Sequence, residues 1–136
     1  MTQQSLESAQ RMYEAYRRGD AAALLAEMDA NVEVIAFPEI SKSPYVGHEG
    51  VRRLFEDRKQ WDLLEFEADE FRANGDCVAI LGRYRARRGR SLTDSSAAIA
   101  VVLEGGRIVR MESFTSWQSA LERCGFDASA ETAAVA

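Results

Sequence analysis

Histidine, cysteine and proline are scarce in this chain: one, two and two of them in 136 residues. The single histidine, His48, and the cysteines Cys77 and Cys124, which form no Cys-x-x-Cys pair, leave no cluster suited to zinc, so no metal is expected. No glycine-rich phosphate loop is present, and no cofactor is expected. An apolar run of about 18 residues is missing, as is a basic-then-apolar start; neither a membrane span nor a signal peptide is predicted, and a cytoplasmic location follows by default. Positive charge is short too. Lys and Arg number 17 against 22 Asp and Glu, a net charge of −5, which argues against a nucleic-acid partner. In that setting the two distant cysteines read as reduced, packed thiols.

What is present suits one domain with a real core, since 46% of residues are hydrophobic. Residues 1–126 carry the pattern of a folded domain, and residues 127–136 read as a small, polar, fraying tail. Leu6, Ala9, Met12, Tyr13 and Tyr16 follow helical spacing over residues 5–18, and Gly19 ends that helix. Asp20 caps a short second helix that buries Leu24, Leu25 and Met28. Residues 32–37 predict a strand, stopped by Pro38. The segment 38–47 reads as a loop lying over a pocket mouth, and a third helix is predicted over 49–60.

From Leu63 the period becomes two. Leu64, Phe66 and Ala68 alternate with Glu65, Glu67 and Asp69, the mark of a sheet with one wet face. Turn signals at Asn74-Gly75, Arg88-Gly89-Arg90 and Gly105-Gly106 divide the rest into four strands, the third of them starting at Ser95. A last helix is predicted over 117–124, stopped by Gly125. Helices segregated onto one face of a mostly antiparallel sheet make an α+β domain, and long hairpin strands that twist would curl it into a cone with an apolar interior.

On the last strand strict alternation puts Ile108, Arg110, Glu112 and Phe114 on one face, opposite Val109, Met111 and Ser113. A carboxylate between Arg110 and Phe114 is a candidate general base or ligand anchor, and equally a structural ion-pair partner for Arg83 or Arg85. His48, before helix three, reads as a proton shuttle at the pocket mouth or as a loop anchor bonded to backbone. Arg83, Arg85 and Arg87 share a face; they suit an anionic ligand, but they also answer Glu65, Glu67 and Asp69 across a strand pair. Arg83, nearest the apolar part of its strand, is the candidate among them for catalysis. Tyr16, Phe37, Tyr45 and Phe114 are the aromatics expected to line a pocket.

Three stretches carry a resemblance: YEAYRRGDAAALLAEMDANVEV from Tyr13, PYVGHEGVRRLFED from Pro44, and VLEGGRIVRMESFTSWQSALERCGF from Val102. In this order they resemble the SnoaL-like group of the nuclear transport factor 2-like superfamily, which implies a cone-shaped fold, an internal pocket and often a dimer through the sheet. Known members include isomerases, cyclases, dehydratases and an epoxide hydrolase, so the fold implies no single reaction. Where the resemblance to ketosteroid isomerases implies a tyrosine and two acids, this chain has Met12, Val34 and Ile99, which excludes that activity. Limonene-type epoxide hydrolases imply two carboxylates bridged by an arginine. Glu112 falls near one position, but Arg83-Tyr84-Arg85 stands where an Arg-x-Asp word is implied.

Taken together, these readings predict a protein binding a small hydrophobic molecule, with Glu112, Arg83 and His48 as catalytic candidates. Tyr16, Phe37, Tyr45, Arg110 and Phe114 would hold the ligand. Any reaction would be cofactor-free acid–base chemistry: isomerisation, cyclisation, dehydration or hydrolysis. The alternative is a dimerisation and interaction module without turnover, suggested by apolar residues on both faces of the last strands, Ala97, Ile99 and Val101 against Ala98, Ala100 and Val102. A filled cone would support the module, and an open lined cavity the ligand binder.

Overall fold

The computed structural model describes residues 2–126, and the expected tail at 127–136 lies outside the described residues. Helix α1 (Thr2–Arg18) buries Ala9, Met12 and Tyr13 of the predicted stripe together with Ser5, Ser8 and Ala15, while Leu6 and Tyr16 are only partly buried. The chain reverses at Gly19, whose φ of 71° suits a residue without a side chain. Helix α2 (Ala21–Ala26) follows, the Asp20 carboxylate accepting the Ala23 N–H at 3.1 Å. Strands β1 (Met28–Ile35) and β2 (Tyr45–Val46) precede α3 (Gly47–Arg58). Four strands then run in sequence: β3 (Leu63–Asn74), β4 (Cys77–Arg88), β5 (Ser91–Glu104) and β6 (Arg107–Phe114). Helix α4 (Trp117–Arg123) is capped by Ser116. No helix among the described residues is long and apolar enough to cross a membrane.

The sheet order is β2-β1-β6-β5-β4-β3, with β1 parallel to β6 and every other pair antiparallel. This is the expected α+β architecture: a curved, unclosed sheet with α1, α2 and α3 on its inner face. Three details differ at the strand ends. β1 spans Met28–Ile35 instead of 32–37. β5 begins at Ser91, not Ser95, because Gly89 with φ 63° lets the chain turn at once and extends the pairing to Arg88↔Ser91. Tyr45 and Val46 leave the expected loop to pair with Val34 and Glu33.

Two bulges correct the strict alternation. Val102 pairs with Arg110 and Leu103 with Ile108, so Val109 is an extra residue. Ile108 therefore turns into the main core, fully buried, while Arg110, Glu112 and Phe114 keep to the outer face. Asp69 is likewise extra between Ala68↔Gly82 and Glu70↔Leu81, which turns Phe71 toward the main core.

The outer face carries a second core. Helix α4 folds back over β4 and β5, packing Ala120, Leu121 and Cys124 on Ala79, Leu81, Ala98 and Ala100, with Phe114 beside them. The apolar alternation of Ala98 and Ala100 is thus covered within one chain. The same fold-back corrects the reading of the cysteines. Cys77 and Cys124 form a disulfide with Cα atoms 5.2 Å apart, not two reduced thiols. Spacing along the chain hides this, because 47 residues separate the two. The contact exists only once α4 docks, held also by Asn74 Nδ2 donating to the Cys124 carbonyl at 2.8 Å.

Candidate functional site

Between the three N-terminal helices and the inner sheet face lies a cavity of about 80 Å³. Its wall is almost wholly apolar: Met12 from α1, Val34 from β1, Ile99 from β5 and Met111 from β6 all face it. Met12, Val34 and Ile99, which stand where the resemblance to ketosteroid isomerases implies catalytic groups, all line this cavity with side chains inert in proton transfer. Phe37, at the end of the expected strand, and Ile40, from the expected loop, complete the wall on that side.

Polar atoms on the wall are few. Tyr13 is committed to the fold: its hydroxyl accepts from Ala68 N at 2.8 Å and donates to Phe66 O at 3.3 Å, tying α1 to the edge of β3. Glu65 turns its carboxylate to Arg85 on the outer face, 3.2 Å away. Tyr84 differs. Its ring stacks on Phe37 with centroids 4.1 Å apart and planes 19° apart. It is 3% exposed, and its hydroxyl makes no hydrogen bond of standard geometry, although the Glu39 carboxylate comes near enough to act on it as an acceptor. Burial raises its pKa far above the ordinary tyrosine value, and the negative charge of Glu39, from the loop after Pro38, raises it further. At neutral pH the group is a neutral donor whose hydrogen bond is not well formed. Tyr16 also faces the cavity; burial raises its pKa, partly offset by the Arg58 guanidinium 4.6 Å over its ring.

Of the ligand-binding candidates, Tyr16 and Phe37 line the cavity and Tyr45, Arg110 and Phe114 do not. Tyr45 is buried in the main core, donating to Asp57 Oδ2 at 2.7 Å; burial and that carboxylate push its pKa up to about 12. Arg110 joins Glu33 across β1 and β6 and lies 3.6 Å from Glu112. Phe114 packs under α4.

None of the three catalytic candidates lines the cavity. Glu112 is on the outer face, 3.6 Å from both Arg110 and Arg123. Arg83 pairs with Asp94 at 2.7 Å, also outside. His48 Nε2 lies 3.2 Å from the Met28 carbonyl, the geometry of a loop anchor. The structure thus brings Glu112 to Arg110 and leaves Arg83 and His48 apart from them. Sequence reading missed Tyr84 and Glu39, although the signal for Tyr84 was there: it alternates with Arg83 and Arg85 and so must face away from them.

Both the element order and this helix-lined cavity agree with the comparison by family. The SnoaL-like domain profile matches residues 9–111, most of the helices and strands just described. This chain belongs to the SnoaL-like domain family. No curated protein sequence matches it significantly. Among solved structures, this SnoaL-like chain is similar to Bal32a from a soil-derived mobile gene cassette, at 20% identity and a TM-score of 0.75, over 90% of this chain and 97% of that one. TerC, co-crystallised with polyporic acid, matches at 19% identity and a TM-score of 0.72, over 89% and 97%. A ketosteroid isomerase-like fold from Catenulispora acidiphila, in complex with trimethylamine, matches at 16% identity and a TM-score of 0.66, over 90% and 95%. At these identities the likeness is one of fold.

Proposed function

We propose that this SnoaL-like protein binds a small molecule with an apolar body and an uncharged hydrogen-bond acceptor in the cavity under α1–α3. The observation that supports it is the Tyr84 hydroxyl, buried on an apolar wall with no well-formed hydrogen bond, the Glu39 carboxylate being the one acceptor that acts on it among the described residues. A buried donor left unmade costs about 1–3 kcal/mol, so a ligand supplying the acceptor recovers that cost on binding. An apolar lining with few convergent polar groups is the usual form of a small-molecule site. Two structural relatives crystallised with small organic molecules lend it support.

The test compares acetophenone with ethylbenzene, a pair differing in the carbonyl, by calorimetry on wild type and Tyr84→Phe. The ketone is expected to bind wild type about tenfold more tightly, a hydrogen bond's worth, and the preference to vanish in the variant. Equal affinities in wild type would remove Tyr84 from the site. Binding of neither probe would leave the dimerisation and interaction module as the better reading, with native mass spectrometry to count the copies.

A second reading, turnover by acid–base chemistry, draws on Glu39, the carboxylate whose charge acts on the Tyr84 hydroxyl. In it Glu39 takes the proton from the carbon next to the bound carbonyl, and Tyr84 donates to the oxygen as negative charge develops there. Deuterium exchange at the acetophenone methyl group, followed by NMR, is expected to accelerate with wild type and not with Glu39→Gln. No acceleration by wild type reduces the function to binding.

A further inference from the structure

Beside the cavity, and sharing its wall at Tyr13, Tyr16 and Phe66, lies a surface cleft of about 310 Å³ between α1, the end of α3 and the edge of β3. Its floor carries two guanidinium groups. Arg58 donates to the Tyr16 carbonyl at 3.2 Å and lies over the Tyr16 ring, and no carboxylate among the described residues stands within ion-pairing distance of it. Arg17 lies 5.8 Å over the Tyr13 ring, and its one carboxylate contact among the described residues, with Glu14 at 3.5 Å, is solvent-screened, both side chains being more than half exposed. The β3 edge adds a third donor. Tyr13 bonds the Phe66 carbonyl, which shows that Phe66 turns its polar backbone away from β4; in an antiparallel ladder a residue turns both groups to one side, so the Phe66 N–H faces the cleft as well. Two acids line the cleft as well: Glu65, whose carboxylate is paired with Arg85 at 3.2 Å, and Glu67, on the strand face opposite Phe66.

We infer that this cleft is an anion subsite for the cavity's ligand, which would then be an amphiphile: its apolar body against Tyr84 and its carboxylate on Arg58, Arg17 and the Phe66 N–H. The inference rests on the cavity reading above and adds a second, charged anchor to it. Arg58 has a plainer role as well, since a guanidinium on the Tyr16 carbonyl closes the C-terminal end of α1. A structural role of that kind would not make the protein prefer one ligand charge over another.

Octanoate and 1-octanol, equal in chain length and different in charge at neutral pH, separate the two. Calorimetry on the full chain is expected to show octanoate binding about tenfold more tightly, as a charge-assisted bond allows. The ratio should shrink as salt is added, a measurement that needs no variant. Arg58→Gln and, should that variant fold poorly, the exposed Arg17→Gln should each bring the ratio toward one. Octanol bound and octanoate no tighter would overturn the subsite while sparing the cavity, as would a ratio unmoved by salt and by both substitutions. Binding of neither would overturn the cavity reading and this inference with it.

Discussion

Between Arg83 and Arg85, whose guanidinium groups reach Asp94 and Glu65 on the outer face, Tyr84 turns inward onto Phe37. Period-two alternation makes that opposition legible in the sequence; that the inward side is an apolar cavity is not. Two residues earlier, Gly82 sits where the β3 bulge crowds the sheet. A Cβ there would lie 2.0 Å from the Glu67 carbonyl oxygen, a backbone atom that cannot step aside. Gly82→Ala is therefore expected to cost about 3 kcal/mol, the upper end for overpacking, read as a lower urea midpoint; an unchanged midpoint would contradict the close approach. Glu112 is the opposite case. Its partners are half-exposed arginines at 3.6 Å, so Glu112→Gln should cost no more than about 1 kcal/mol and leave the acetophenone affinity where it was. A lost ketone preference in that variant would return Glu112 to the site.

Among the elements, α4 owes its position to three ties. The Trp117 indole donates to the Gly82 carbonyl at 2.9 Å, Asn74 bonds the Cys124 carbonyl, and the disulfide joins its C-terminal end to the start of β4. The helix has only seven residues, too few to persist alone in water, so docking and helix formation go together. Closing a loop of 47 residues lowers the entropy of the unfolded chain by about 4 kcal/mol in the loop-closure account. The double variant Cys77→Ser, Cys124→Ser, or added reductant, should lower the melting temperature and raise hydrogen exchange first in α4. Unchanged melting with and without reductant would speak against the bond. A helix over 117–124 is readable from its stop at Gly125; its Ser116 cap and the partner of its apolar face come from the structure.

For the molecule as a whole, the buried tyrosines govern alkaline stability. Tyr45 is held up to about 12, and Tyr16 and Tyr84 are raised as well, against an ordinary value of 10.0. Because the unfolded chain gives up these protons first, the stabilisation is complete below the ordinary value and is lost as pH rises through the folded one. The melting temperature should fall between about pH 10 and 12, less steeply in Tyr45→Phe; a flat limb in wild type would contradict the burial of these hydroxyls. On the acid side, Glu27 is held below its ordinary value, chiefly by the hydrogen bond from Arg11, and its contribution is lost as pH falls through that lowered value. Arg11 is 60% exposed, so the effect there is small.

What the sequence by itself determined are the features set by neighbours in the chain. Periodicity marked the helices and strands, Gly19, Gly89 and Gly105-Gly106 marked reversals, and the hairpin run from Leu63 to Phe114 followed from short turns that leave adjacent strands no other partner. Tertiary structure decided what depends on residues far apart. The parallel seat of β1 beside β6, the bulges at Asp69 and Val109 that re-aim Phe71 and Ile108, and the fold-back of α4 that joins Cys77 to Cys124 all arise from close packing between distant segments. A single extra residue in a strand reverses which face every later side chain meets. That is why Arg110 and Glu112 lie outside while Ile108, two residues before Arg110, lies within; Tyr84, on the unbulged β4, reaches the cavity wall by plain alternation.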